Sequence, residues 1–210
     1  MPKETYLNLS REKRERVLGA AVSEFARAGY AQASVNRIVK DAGIAKGSFY
    51  QYFEDKEALF LYVFSEFTRI VKESVKAGEK DDANDFSSQL RSVVRSGLEF
   101  IDRYPEFFRF YQNILYRDDT PRRDDLLSVV RLFPHEYFQP LLVEGQKKQA
   151  IRPELSPELI VFMVNSLLES FLVEKARAKN GHIFGREGTE IDVLVDQLVD
   201  ILHTGIMTGQ

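Results

Sequence analysis

The sequence predicts an all-α fold, and three observations carry that reading. Apolar residues recur at helical spacing through nearly every segment, and no stretch shows the sustained apolar/polar alternation of a half-buried strand. Start residues such as Ser10, Asp55 and the pair Ser156-Pro157, with stop residues such as Gly29 and Asn180-Gly181, divide the chain into blocks of helix length. At 210 residues, 44% of them apolar, the chain can bury a full core as one large or two modest domains. The absence of Cys excludes a disulfide framework and a thiolate zinc site, and agrees with a reducing cytoplasm. No apolar run approaches the roughly 18 to 20 residues of a membrane span, and the first residues lack the apolar stretch of a signal peptide. The expectation is therefore a cytoplasmic protein with no membrane partner.

The first helix is expected from Ser10, its N-cap, to Ala28. Val17, Leu18, Ala21, Val22 and Phe25 form its buried face, and Gly29 stops it. A short helix follows over residues 35–42, with Val35, Ile38, Val39 and Ala42 at helical spacing. Gly43 then supplies a tight turn, and Ile44 plugs the corner. The next short helix, residues 45–52, has Phe49 as its buried residue, with Phe53 beyond it. That leaves Lys46, Gly47, Ser48, Tyr50, Gln51 and Tyr52, whose donors and flat rings suit phosphates and base edges. The whole reads as a helix-turn-helix. Asp55 caps a long helix with Leu59, Phe60, Val63, Phe64, Phe67, Ile70 and Val71 on its apolar side.

Residues 77–85 are the most loop-like segment. The helix after it presents Phe86, Leu90, Val93, Val94, Leu98 and Ile101, and Pro105 opens an unusually aromatic one. Pro121 is expected to open the next, and Pro134 and Pro140 to kink or interrupt it. The last two helices, near residues 157–179 and 190–206, are apolar on more than one face; Thr189 with Asp192 reads as a capping-box start for the second. A doubly apolar helix in a soluble chain needs a second cover, so a homodimer is expected. Its interface is assigned to Ile160, Val164, Leu167, Leu168, Phe171, Leu194, Leu198, Ile201 and Leu202.

Net charge is −3, but it divides unevenly: residues 1–60 hold 10 Lys+Arg against 8 Asp+Glu, and the remainder is acidic. Positive charge lies where the helix-turn-helix lies, although a cluster such as Arg11, Lys13, Arg14 and Arg16 is equally well a solvated helix face.

The first 60 or so residues resemble the DNA-binding domain of the TetR family of bacterial transcriptional regulators. The likeness is carried by Val17, Leu18, Ala20, Ala21, Phe25, Gly29-Tyr30, Ser34, Ile38, Ala42-Gly43-Ile44, Lys46-Gly47-Ser48-Phe49-Tyr50, Tyr52-Phe53 and Lys56-Glu57-Ala58-Leu59. The rest follows the family in plan, through helix number, the junction Tyr104-Pro105-Glu106-Phe107, and Leu198-Val199-Asp200 with Gly205. The resemblance implies a DNA-binding domain over residues 1–55 and a helical effector-binding and dimerisation domain over residues 56–210. It also implies that Ser34, Asn36 and Arg37 touch phosphates, that Lys46, Gly47, Ser48, Tyr50, Gln51 and Tyr52 lie on the recognition helix, and that Lys56 clamps the backbone. Where the family often has Ser, this chain has Ala45, a poorer N-cap by about 0.5 to 2 kcal/mol. The implied partners are a partly palindromic duplex operator, a second copy of the chain and a small-molecule effector, with no cofactor.

The aromatic residues Phe107, Phe108, Tyr111, Phe133, Tyr137, Phe138 and Phe162, with Asn165 for orientation, are candidates to line an apolar effector pocket; each is also an ordinary core residue by spacing. Enzyme readings fail on the residues. His135, His182 and His203 are isolated, and the position four residues after His135 is Gln139, not the second His of a metalloprotease helix. Lys46-Gly47-Ser48 lacks the Gly spacing of a phosphate loop, and solvated helix ends explain Asp81-Asp82, Asp118-Asp119 and Asp124-Asp125. The sequence thus predicts a repressor released by a small apolar or aromatic effector. The competing reading is a helical binding protein of the same fold that acts through protein contacts or without an effector.

Overall fold

The structure, a computed structural model, describes residues 1–78, 86–177, 184 and 190–206, and for residues 131–135 the backbone alone. Among the described residues it is all-α, with α1 (Glu4–Leu7), α2 (Arg11–Gln32), α3 (Val35–Asp41), α4 (Lys46–Tyr52), α5 (Lys56–Gly78), α6 (Phe86–Arg103), α7 (Pro105–Tyr116), α8 (Arg123–Lys147), α9 (Pro157–Ala176) and α10 (Ile191–Ile206). The chain divides into two compact units. The first holds Met1–Ile70 and Tyr104–Ser128, the second Val71–Arg103 and Val129–Gln210.

In the first unit, Ser10 caps α2 by accepting from the Lys13 N–H, as its sequence position suggested. The helix breaks at Gly29, whose φ of 72° and ψ of 175° lie in a region essentially restricted to glycine. Next to that break, α7 takes up backbone carbonyls of α2. Asn113 Nδ2 donates to Phe25 O at 2.9 Å and Ala26 O at 2.8 Å, and Arg117 Nη1 to Ala28 O at 3.0 Å. Rings fill the space between α2, α5 and α7: Phe60 lies 5.1 Å from Phe25 and 5.0 Å from Phe110, centroid to centroid. Asp55 caps α5 through the Ala58 N–H at 2.8 Å. The small helix α1, which the periodicity did not indicate, buries Tyr6 completely.

The second unit packs α6, the later part of α8, α9 and α10 around one core that includes Leu90, Val94, Phe138, Leu142, Val164, Leu168, Val195 and Val199. Arg91 with Asp196 at 2.8 Å and Arg95 with Asp192 at 3.0 Å tie α6 to α10 at the surface. One expectation is corrected: α8 continues through Pro134 and Pro140 without interruption. Each proline forfeits a helical hydrogen bond, at about 3 kcal/mol or more. Burial of Leu126, Leu127, Phe138 and Leu142 along the same helix offsets that loss, at about 1.5–3 kcal/mol for each large side chain. Pro121 lies in the turn before α8, which begins two residues later. The stop at Asn180-Gly181, the start at Thr189, His182 and most of the loop at 77–85 fall outside the described residues.

Candidate DNA-reading surface

The reading surface is built on a short turn that two charged side chains hold from within. After Gly29 the chain must reverse from α2 into α3, and Ser34, the N-cap residue of α3, makes no side-chain cap of its own. Glu24 supplies the missing acceptor: Oε1 takes the Ser34 N–H at 2.9 Å, while Oε2 takes Arg27 Nη2 at 2.7 Å and lies 3.8 Å from Arg37 Nε. The Glu24 side chain is 2% exposed. Burial alone would push its carboxyl up, but the hydrogen bonds from Arg27 and the Ser34 N–H, with the charges of Arg27 and Arg37, hold it below the ordinary value. Lys56 braces the other side of the turn. Its Nζ donates to Tyr30 O at 2.8 Å, Ala31 O at 3.2 Å and Ala33 O at 3.3 Å, and lies 4.5 Å from the centroid of the Tyr30 ring.

Between α3 and α4, Gly43 has a φ of 64°, the left-handed backbone that a tight interhelical corner requires. A Cβ there would meet nothing within 4 Å, so the demand for glycine comes from the backbone alone. The Ile44 N–H closes the corner on Val39 O at 3.0 Å. Helix α4 then buries Phe49 and Tyr52, with Phe53 beneath its end, and turns its other side outward. Lys46, Gly47 and Gln51 are exposed, Ser48 is half-buried and Tyr50 is 49% exposed. On α3, Asn36 and Arg37 are exposed beside the half-buried Ser34. One face thus presents an ammonium, a guanidinium, a phenol, two amides and an approachable glycine backbone, the donor set for phosphates and base edges.

Two of the residues assigned to DNA from the sequence are placed elsewhere. Tyr52 is 5% exposed, its ring 6.0 Å from that of Tyr6, because it lies three residues after Phe49 on the inward side of α4. Lys56 has all three of its protons engaged by the carbonyls of the α2–α3 turn, which leaves none for a phosphate. Glu24, Lys3 and Thr5 were missed. Glu24 sits at an apolar position of α2, so an acid there was itself a signal; nothing in the spacing pointed to Lys3 or Thr5.

The effector candidates fall in both units. Phe108 is buried, and Phe107 and Tyr111 are half-buried, in the first; Tyr111 stacks on Phe67 at 5.2 Å. In the second, Phe138 is buried, and Tyr137 and Asn165 are half-buried. Among the described residues Phe162 is 67% exposed and is not enclosed, and the Phe133 side chain is outside the described residues.

The interface assignment also changes. Ile160, Val164, Leu168, Phe171 and Leu202 belong to the chain's own core. Among the exposed residues of α9, Leu159, Phe162, Met163 and Leu167 with Ser166 and Ser170 form a stripe at spacings of three and four. On α10, Ile201 is 68% exposed, with Leu194 and Leu198 half-buried on the same side.

A short exposed helix that follows a glycine corner and is braced from within is the arrangement of a helix-turn-helix regulator. The comparisons agree. A profile of bacterial regulatory proteins of the TetR family matches residues 17–63. The HTH-type transcriptional regulator YdgC of Bacillus subtilis is 30% identical over 167 residues, covering 77% of this chain and 82% of that one. The HTH-type transcriptional repressor DhaR of a Mycobacterium species is 26% identical over 154 residues, 73% of this chain and 77% of that one. A crystal structure of a TetR family transcriptional regulator from Chloroflexus aurantiacus superposes with a TM-score of 0.77 at 28% identity, covering 100% of both chains. The chain belongs to the TetR family of bacterial transcriptional regulators.

Proposed function

We propose that this regulator is a dimeric repressor that reads a partly palindromic operator and is released from it by a small apolar or aromatic effector. The observation that carries the DNA-reading part is the outward face of α4: neither Lys46 nor Gln51 has a side-chain partner among the described residues, and Tyr50 is 49% exposed with its ring edge-on to Phe49. Tyr50, Ser34, Asn36 and Arg37 position the protein on phosphates, the Gly47 backbone and Ser48 allow close approach, and Lys46 and Gln51 read base edges. Such a regulator works in the cytoplasm, where a bacterial operator lies.

The exposed stripe on α9 and the apolar side of α10 support dimerisation with a second copy as a four-helix contact. Two recognition helices then meet successive major grooves, about 34–36 Å apart. Support for repression comes from the relative DhaR, which is named a repressor. Within the second unit, the edge-on ring pair Tyr137-Phe138 with the half-buried Asn165 suits an apolar or aromatic effector. The test is selection of bound duplexes from a random pool, followed by titration of the selected duplex with compounds that raise the melting temperature. An enriched palindrome and hits that weaken binding about 5- to 150-fold are expected. Enrichment without any such hit favours a regulator that lacks an effector, and no enrichment refutes the DNA-reading assignment.

A further inference from the structure

Helix α4 has seven residues, far fewer than the about 12–15 at which an isolated helix becomes even marginal in water, and its N-cap residue Ala45 offers no side-chain bond. Its last four carbonyls, from Phe49 to Tyr52, have no partners within the helix. All four are nevertheless satisfied. The Phe53 N–H donates to Phe49 O at 2.8 Å, Lys3 Nζ to Tyr50 O at 2.8 Å, the Thr5 hydroxyl to Gln51 O, and the Lys3 N–H to Tyr52 O at 2.8 Å. Three of these four donors come from residues 3 and 5, more than forty positions away in sequence. The Lys3 ammonium also stands at the negative end of the α4 dipole.

Tyr6 fixes this segment in place. Its ring is fully buried, 4.9 Å from Phe53, 5.2 Å from Tyr62 and 6.0 Å from Tyr52, and its hydroxyl donates to Arg14 O at 3.2 Å. The donors on Lys3 and Thr5 are thereby aimed at the turn of α4 that carries Tyr50 and Gln51. We propose that residues 3–6 are the C-terminal brace of the recognition helix, with Lys3 and Thr5 as positioning residues that set operator affinity without touching DNA. The proposal rests on the DNA-reading assignment of α4 above. With Lys3 and Thr5 changed, the last turn frays, and Tyr50 and Gln51 must be ordered when DNA binds.

The test is the double variant Lys3→Met with Thr5→Val in the full chain, which leaves Tyr6 and the core untouched. The probe is a fluorescent duplex selected by the wild-type protein from a random pool. Affinity should fall about tenfold, with an unchanged slope of log affinity against log salt, and exchange of the backbone amides of residues 50–53 should quicken by a similar factor. The conservative pair Lys3→Arg with Thr5→Ser should restore both. Wild-type affinity together with wild-type exchange would overturn the brace. So would an affinity loss with unchanged exchange and a salt slope lower by about one, which would make Lys3 a phosphate contact. If the wild type selects no duplex, the DNA assignment falls separately. Exchange at residues 50–53 then decides the brace: quickened exchange upholds it and unchanged exchange sinks it.

Discussion

Replacing Glu24 should loosen the junction between α2 and α3, and the structure sets the size and the pH dependence of the effect. Glu24→Ala leaves the Ser34 N–H without its acceptor and removes the Arg27 contact. A hydrogen bond to a charged group contributes about 1.5–3 kcal/mol, and the Ser34 bond is part-buried. Arg27 is 54% exposed, so its share falls in the surface range of about 0.2–1 kcal/mol. Together these give a loss of about 2–4 kcal/mol at neutral pH. Glu24→Gln keeps an acceptor for Ser34 and should lose less. The folded carboxyl lies below its ordinary value. Its contribution is therefore complete above the unfolded value, about 4.3 for Glu, and is lost as pH falls through the folded value. The stability gap between wild type and either variant should accordingly narrow in acid. Urea unfolding at one fixed protomer concentration, run at pH 7 and stepwise below pH 4.5, measures both quantities. A Glu24→Ala loss under about 0.5 kcal/mol, or a gap that widens on acidification, would refute the reasoning.

Gly29→Ala should destabilise by about 1–3 kcal/mol in thermal melts, because its backbone region is essentially closed to alanine and the new Cβ would lie 2.7 Å from Arg117 Nη1. Tyr50→Ala should weaken operator binding at every sequence tested, whereas Lys46→Ala or Gln51→Ala should shift sequence preference by about 1–3 kcal/mol at one position; gel-shift titrations on the selected duplex and its single-base variants separate the two. The wild type should sediment as the proposed dimer at micromolar concentration and Phe162→Lys as a monomer of unchanged helicity, since the ring is 67% exposed; a wild-type monomer would refute the dimer.

The parts legible from sequence are those whose cause is local. The helix-turn-helix could be read because Gly43 is needed by the backbone at its own position, and because Phe49 lies four residues before Phe53 on one side of a short helix. Ser10, Asp55 and Ser156 were legible as caps for the same reason: the acceptor lies within three residues of the N–H it satisfies. Long-range partners were not legible. Spacing says that α9 is apolar on two sides, but it does not say which side meets α6 and α10, so Val164 and Leu168 were assigned to a partner when they belong to the chain's own core. Lys56 shows the same limit. A lysine at a helix start beside a DNA-reading helix suits a phosphate, and only the fold brings three carbonyls of a turn some 25 residues away under its ammonium.

The helix-turn-helix also shows where its precision has to come from. Helices α3 and α4 have seven residues each, neither has a side-chain cap, and the corner between them turns on Gly43, which has no side chain to lock it. A unit so short cannot hold its own geometry to the fraction of an ångström that base contacts need. Its two outer ends are therefore fixed from outside: the start of α3 by Glu24 and the turn before it by Lys56, the end of α4 by Lys3 and Thr5. Each of these places a charge or a donor on backbone groups, so side chains on the reading face can change without disturbing the frame. A consequence follows for redesign. Exchanging Lys46 or Gln51 should alter which base is read while stability stays within about 0.5 kcal/mol, the range of ordinary surface substitutions. The same exchange in a Glu24→Ala background should lose discrimination between bases, because the contacts would then be made by a helix pair whose start is no longer held.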